Sequence, residues 1–217
     1  ILLKDKAIHE LKGCETAKEL VARPDTATRI KHLSEKVNTK YSDFSPHLVG
    51  NTLYYSSLRF ERALVRGRVV SSGPDVKQNL VGKIMVAENK GESRYEQLAN
   101  KNVNVKYENS GNSSTNTDES MLYFCKCAPN RDMQMVCEIY TSKMEENKEW
   151  GEAVKLPTEI NLKGYTSTHP AIGFDSLRNK EVLYFVSNRP GGKGKLDIWA
   201  AEILGDNKFG EVYNLGD

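Results

Sequence analysis

Residues 182–202 read VLYFVSNRPGGKGKLDIWAAE. Two runs rich in β-branched and aromatic residues flank a Pro-Gly-Gly turn. That pattern predicts an antiparallel hairpin. The first strand carries Leu183-Tyr184-Phe185 and the second carries Ile198.

The same hairpin recurs twice upstream. NTLYYSSLR (51–59) and MLYFCKCAP (121–129) repeat the Leu-Tyr-aromatic strand. GKIMVAE (82–88) and CEIYTSK (137–143) repeat the Ile strand, with Ile84 and Ile139 in place of Ile198. A further element closes each unit. RIKHLSEKVN (29–38), YEQLANKNVN (95–104) and AVKLPTEIN (153–161) share a Leu followed by an apolar-Asn pair, and VYNLGD (212–217) begins another copy. Leu33, Leu98, Leu156 and Leu215 keep one period, and all elements keep one order. Such a period marks a repeat architecture. An entry strand following Ser45-Pro46 or His169-Pro170 completes each unit as a four-stranded antiparallel sheet. Sheets repeated in this way are β-propeller blades. The expected fold is therefore mainly β, with about three blades. Closed propellers have about four to eight, so further blades are expected outside this chain.

Residues 1–26 are read as a separate helical segment, and 27–217 as the partial propeller. Ala7, Leu11, Cys14, Lys18 and Val21 fall at helical spacing. Gly13 is expected to interrupt or bend this helix, and Pro24 to stop it. Residues 108–120, ENSGNSSTNTDES, read as a polar loop. The 59–83 connection, RFERALVRGRVVSSGPDVKQNLVGK, is the longest insertion within a hairpin. It holds Arg59, Arg62, Arg66, Arg68, Lys77 and Lys83 against Glu61 and Asp75. Loops on rigid scaffolds carry recognition. Arg59, Arg62, Arg66, Arg68 and Lys77 are therefore the candidate binding residues, for an acidic protein surface or an anionic polymer.

Lys and Arg number 31 and Asp and Glu 29, which leaves a formal charge of +2. That balance excludes a strongly basic nucleic-acid binder as the default reading. No run approaches the length of a membrane-spanning helix, so an integral membrane protein is not expected. No signal peptide is visible and the chain opens on Ile1, as expected of a processed chain or a fragment.

Arg189 and Asp197 flank the glycine turn on paired strands and are expected to pair with each other. Gly191 and Gly192 are expected to supply positive φ. Trp199 aligns with Tyr140 and Met85 and is expected to pack within the blade. These five residues form a structural blade motif. Cys137 lies across one hairpin from both Cys125 and Cys127, and either pair could bridge if directly opposite. Cys125–Cys137 is taken as the candidate disulfide, with Cys14 unpaired. His9, His32, His47 and His169 share no metal spacing, and no Ser elbow or carboxylate pair marks a catalytic centre. No catalytic residue, metal ligand or cofactor is assigned.

THPAIGFDSLRNKEVLYFVSNRPGGKGKLDIWAAEI (168–203) resembles the TolB-like β-propeller repeat, in its form found in Bacteroidetes OmpA-family proteins. DFSPHLVGNTLYYSSLR (43–59) is a second match. Residues 7–26 leading into 37–46 look like that family's tetratricopeptide-to-propeller junction. The resemblance implies a periplasmic, outer-membrane-associated scaffold. Its partners would be cell-envelope or type IX secretion proteins, with peptidoglycan reached through a domain outside this chain. Two other readings are the propeller of a larger enzyme, such as a peptidase, and a carbohydrate-binding surface module.

Overall fold

The computed structural model describes residues 2–23, 25–61, 80–89, 93–97, 103–105 and 108–216. It divides into two compact units, 1–32 and 33–217.

The first unit holds one helix, α1 (Leu2–Ala22). It runs without a break through Gly13, contrary to the interruption expected there. A glycine inside a helix costs only about 1 kcal/mol relative to Ala, which the neighbouring turns can absorb.

Among its described residues the second unit is built of β-strands and connecting turns. Its first sheet contains β1 (Asp43–Val49), β2 (Thr52–Glu61), β3 (Leu80–Asn89) and β4 (Ser93–Gln97), paired in chain order. The second contains β5 (Asn109–Thr115), β6 (Met121–Pro129), β7 (Met135–Lys143) and β8 (Val154–Lys155), also in chain order. The third contains β9 (Ser167–Asp175), β10 (Lys180–Ser187) and β11 (Asp197–Gly205). Two short strands, β12 (Lys208–Phe209) and β13 (Tyr213–Asn214), both pair with β11. All pairings are antiparallel.

Strand alternation explains the Leu-Tyr-aromatic motif, because successive side chains point to opposite faces. Leu53, Leu122 and Leu183, with Tyr55, Phe124 and Phe185, point toward the preceding repeat. Tyr54 and Tyr123, with Ile84 and Ile139, point toward the following sheet. One core cluster joins Tyr54 and Ile84 of the first sheet to Leu122 and Phe124 of the second. Another joins Tyr123 and Ile139 of the second to Leu183, Phe185 and Trp199 of the third. Tyr55, Met85 and Ala87 are closed off by Val37, from the apolar-Asn pair ahead of the first sheet.

Residues 109–115 correct the expectation of a polar loop. They form β5, and Ser113, Ser114 and Thr115 are buried. A strand built from Asn, Ser, Gly and Thr shows no hydrophobic alternation. Its side chains instead hydrogen-bond to the neighbouring sheets. The Ser-Pro and His-Pro dipeptides also lie inside β1 and β9 rather than ahead of them.

Candidate functional site

Each sheet places a cation over aromatic rings of its central hairpin, two rings in the second and third sheets and one in the first. The Arg189 guanidinium lies 4.7 Å from the Phe185 ring centroid and 5.4 Å from that of Trp199. Arg59 lies 5.9 Å from Tyr55. The second sheet has Ala128 at the corresponding position, and Lys126 from two residues earlier covers Phe124 and Tyr140 at 5.9 and 4.9 Å. The ring faces are electron-rich, so a cation there is attracted even when partly desolvated.

The two arginines also make matching hydrogen bonds. Arg189 donates through Nε to Ser187 Oγ (3.2 Å), through one terminal nitrogen to Glu159 O (2.7 Å), and through the other to Ile160 O. Arg59 donates through Nε to Ser57 Oγ (2.6 Å), and its Nη2 donates to Val37 O (3.2 Å) and Asp43 Oδ1 (2.7 Å). Val37 and Ile160 are the same position of the repeat. Arg189 therefore ties its sheet to the end of the second repeat, and Arg59 ties its sheet to the segment ahead of it.

This corrects two expectations. Arg189 does not spend its guanidinium on Asp197. The Asp197 carboxylate instead accepts from the backbone of Lys193 and Gly194 (3.0 and 3.1 Å), closing the turn. Glu138, at the same register in the second sheet, pairs with Lys155. Of the two glycines, only Gly191 has positive φ (92°). Gly192 is required for space, since a Cβ there would lie 2.3 Å from Asp197 Oδ2. Trp199 is buried and its indole donates to Ser187 O (3.3 Å).

The basic insertion is reached only in part. Arg62, Arg66, Arg68 and Lys77 lie outside the described residues. Arg59, at the end of β2, is held internally as above, with its side chain only 10% exposed. Lys83 is fully buried, and its ammonium donates to Val105 O and to Glu108 O (2.6 Å). Burial lowers its pKa to about 8.

The entry strands meet along a polar seam. Ser45, Asn112 and His169 occupy one repeat position, each at positive φ (50°, 52° and 51°) inside a register shift. Ser45 Oγ donates to Asn112 Oδ1 (2.6 Å), and Asn112 Nδ2 approaches Thr168 Oγ1 (3.4 Å). Asn112 N donates to Ser56 Oγ (2.8 Å). Cys125 stands at the Ser56 position of the next sheet, 3.4 Å from Thr168 Oγ1. His47 Nε2 accepts from Thr115 N (3.1 Å), and one sheet later Ser114 Oγ accepts from Ile172 N (3.2 Å). Burial lowers the His47 pKa, consistent with a neutral ring that accepts. His47 and His169 thus serve different repeat positions. Among the described residues, no three His, Cys, Asp or Glu side chains converge as metal ligands.

The disulfide joins Cys127 to Cys137, not Cys125 to Cys137. In the β6–β7 register Cys127 is directly opposite Cys137, while Cys125 is opposite Ile139. A two-residue offset leaves a diagonal separation of roughly 7–8 Å, too wide for the bond. Cys125 is a buried thiol whose pKa burial raises to about 11, and Cys14 is exposed on α1.

Several features of this unit face outward, among them an apolar cavity of about 320 Å³ between the first and second sheets, lined in part by Phe44, Leu58, Leu80 and Met135, and two others. The first of these two is the following face of the third sheet. Ile84 and Ile139 are 0% exposed, yet Ile198 at the same position is 55% exposed, beside exposed Leu196, Tyr213 and Leu215. The second is an open cavity of about 230 Å³ between the second and third sheets, lined in part by Asn116, Tyr123, Thr141, Glu181, Asn207 and Phe209.

No protein-family model matches this chain, and no curated protein matches it. Among solved structures, an endo-arabinase from Bacteroides thetaiotaomicron VPI-5482 is similar with a TM-score of 0.48 and 17% identity. The match covers 79% of this chain and 61% of the endo-arabinase chain, so this chain spans about three-fifths of that protein's length.

The repeated Asn and Arg contacts were missed in sequence. Two signals were present: the apolar-Asn pair in the three complete copies (Val37-Asn38, Val103-Asn104 and Ile160-Asn161), and Ser-x-Arg after the first and third Leu-Tyr-aromatic strands.

Proposed function

We propose that this chain is a run of β-propeller blades of the TolB-like type, acting as a non-catalytic protein-interaction scaffold of the cell envelope. In this reading it belongs to a periplasmic component of the type IX secretion system that links outer-membrane machinery to peptidoglycan. The observation that supports the propeller reading is the stacking of three antiparallel sheets in which Ile84 and Ile139 are each buried under the next; Ile198, 55% exposed, marks the face on which a further blade would stack. An apolar patch on a rigid sheet is the physical signature of an association surface. The Cys127–Cys137 bridge fits an oxidising compartment.

The test is site-specific photo-cross-linking in living cells from exposed positions of the natural protein, Phe174 and Leu177. Adducts with envelope or secretion proteins are the expected result. Adducts confined to cytoplasmic proteins, or hydrolytic turnover by the purified protein, would overturn the proposal.

A further inference from the structure

Among the described residues, the repeat leaves one stacking face of each kind open. At both internal interfaces the Tyr and Ile of one sheet pack on the Leu and aromatic of the next. Tyr54 and Ile84 meet Leu122 and Phe124, and Tyr123 and Ile139 meet Leu183 and Phe185. The third sheet carries the same Tyr-Ile face, but it is open. Tyr184 is half-buried where Tyr54 and Tyr123 are buried, and Ile198 is 55% exposed where Ile84 and Ile139 are 0%. Leu215 is 48% exposed where Leu156 is 2%. These two leucines hold one repeat position, since each donates its N–H to the Ile-strand carbonyl, Ile198 O or Ile139 O, at 3.0 Å.

The first sheet is open on the opposite face. Leu48 is opposite Leu53, as Thr115 is opposite Leu122 and Ile172 is opposite Leu183. Leu122, Leu183 and Thr115 are buried, whereas Leu53 is half-buried and Leu48 is 68% exposed. Pro46 is exposed where Ser113 and Pro170 are buried. Val37 already lies on this face, against Tyr55, Met85 and Ala87. It does not take the place of a preceding sheet. Its equivalent, Ile160, shares one core cluster with Tyr123 and Ile139 of the second sheet and Phe185 of the third.

Two unlike faces that match an interface already built twice within the chain define a head-to-tail contact. We propose that a second copy of this chain covers them, the first sheet of each copy stacking on the third sheet of the other. Leu48 and Leu53 of one copy then rest on Tyr184, Ile198 and Leu215 of the other. The polar seam continues across the contact. Ser45 Oγ donates to Asn112 Oδ1 within its own copy, and as a hydroxyl it can also accept, from the exposed His169 that holds the same repeat position. Two copies bring six sheets, within the range of about four to eight blades in closed propellers. The inference rests on the blade reading above and names the partner of its open faces.

Sedimentation of the natural protein over a dilution series tests this. The expected result is twice the single-chain mass, falling to one on dilution. Ile198→Asp and Leu48→Asp should each raise the dissociation constant at least about a hundredfold, because each buries an unpaired carboxylate in the contact. Both positions are exposed within one copy, so neither variant should lower the melting temperature of the dissociated chain. Mixing the two variants should restore association, since one of the two contacts then carries no carboxylate. Association that survives Leu48→Asp would overturn the head-to-tail arrangement. A natural protein that stays monomeric would overturn the second copy. In that case Ile198→Cys, in a Cys14→Ser background, separates this inference from the blade reading. A thiol at 198 that resists alkylation would leave the blade reading standing, with a further blade of the same protein on that face. Free alkylation there would overturn both.

Discussion

Asn161 holds Ile139 by both of its backbone polar groups. Ile139 N donates to Asn161 Oδ1 at 2.8 Å, and Asn161 Nδ2 donates back to Ile139 O at 2.8 Å and to Leu156 O at 3.0 Å. Asn104 makes the same clamp on Ile84, at 3.0 and 2.9 Å. In each case a side-chain amide reproduces the pairing of a peptide group where the neighbouring strand begins, and at Ile139 the C=O also accepts from Leu156 N (3.0 Å).

Replacing Asn104 by alanine removes the side-chain partner of both the Ile84 N–H and C=O. Replacing Asn161 strands the Ile139 N–H and takes one of the two donors from the Ile139 C=O, which keeps Leu156 N. A stranded group costs about 1–3 kcal/mol. Asn161→Ala and Asn104→Ala should each lower stability by roughly 2–4 kcal/mol. Urea unfolding measures this. A loss below about 0.5 kcal/mol would show that the amides are incidental.

The Arg189 guanidinium combines four hydrogen bonds, to Ser187 Oγ, Glu159 O, Ile160 O and Ser167 Oγ, with stacking on Phe185 and Trp199. Lysine carries the charge but not the planar fork. Arg189→Lys should cost roughly 2 kcal/mol and alter the near-ultraviolet circular dichroism, because Trp199 loses its cover. A variant with the wild-type melting temperature and spectrum would contradict the tie between sheets.

Thiol counting separates the cysteines. In the native protein only Cys14 should react with a disulfide reagent, since Cys125 is buried. Unfolding without reductant should expose Cys125 as well, and reduction should release Cys127 and Cys137. Reduction should cost about 3 kcal/mol, the chain-entropy value for a loop of this length. Cys125→Ser should be nearly neutral, because serine already stands at the equivalent position 56.

The folded Lys83 titrates near 8 and the unfolded side chain near 10.5. Between those values the unfolded chain binds the extra proton. Stability therefore rises with pH from about 8 toward 10, rather than falling. Lys83→Met should remove that rise. The check compares urea midpoints at about pH 7.5 and 9.5 in both proteins, so that other titrating groups cancel.

The strands and their order were legible in the chain because they are local. Leu53-Tyr54-Tyr55, Leu122-Tyr123-Phe124 and Leu183-Tyr184-Phe185 each declare a two-faced strand, and the Ile strand that follows is its hairpin partner. The packing role of Trp199 was legible for the same reason. The serine-rich β5 was not, because its side chains are matched to Ser45, Ser56, His47 and Ile172, between 55 and 70 residues away only in sequence terms and adjacent only once the sheets stack. The cysteine pairing turned on a two-residue register. The partners of Arg189 turned on the position of a carbonyl 29 residues earlier. Sequence by itself determined the repeat and the faces of its strands, since alternation and period are properties of neighbouring residues. Tertiary structure alone decided the arginine ties, the disulfide, the open face at Ile198 and the cavity at Thr141, since each is set by how one sheet meets the next.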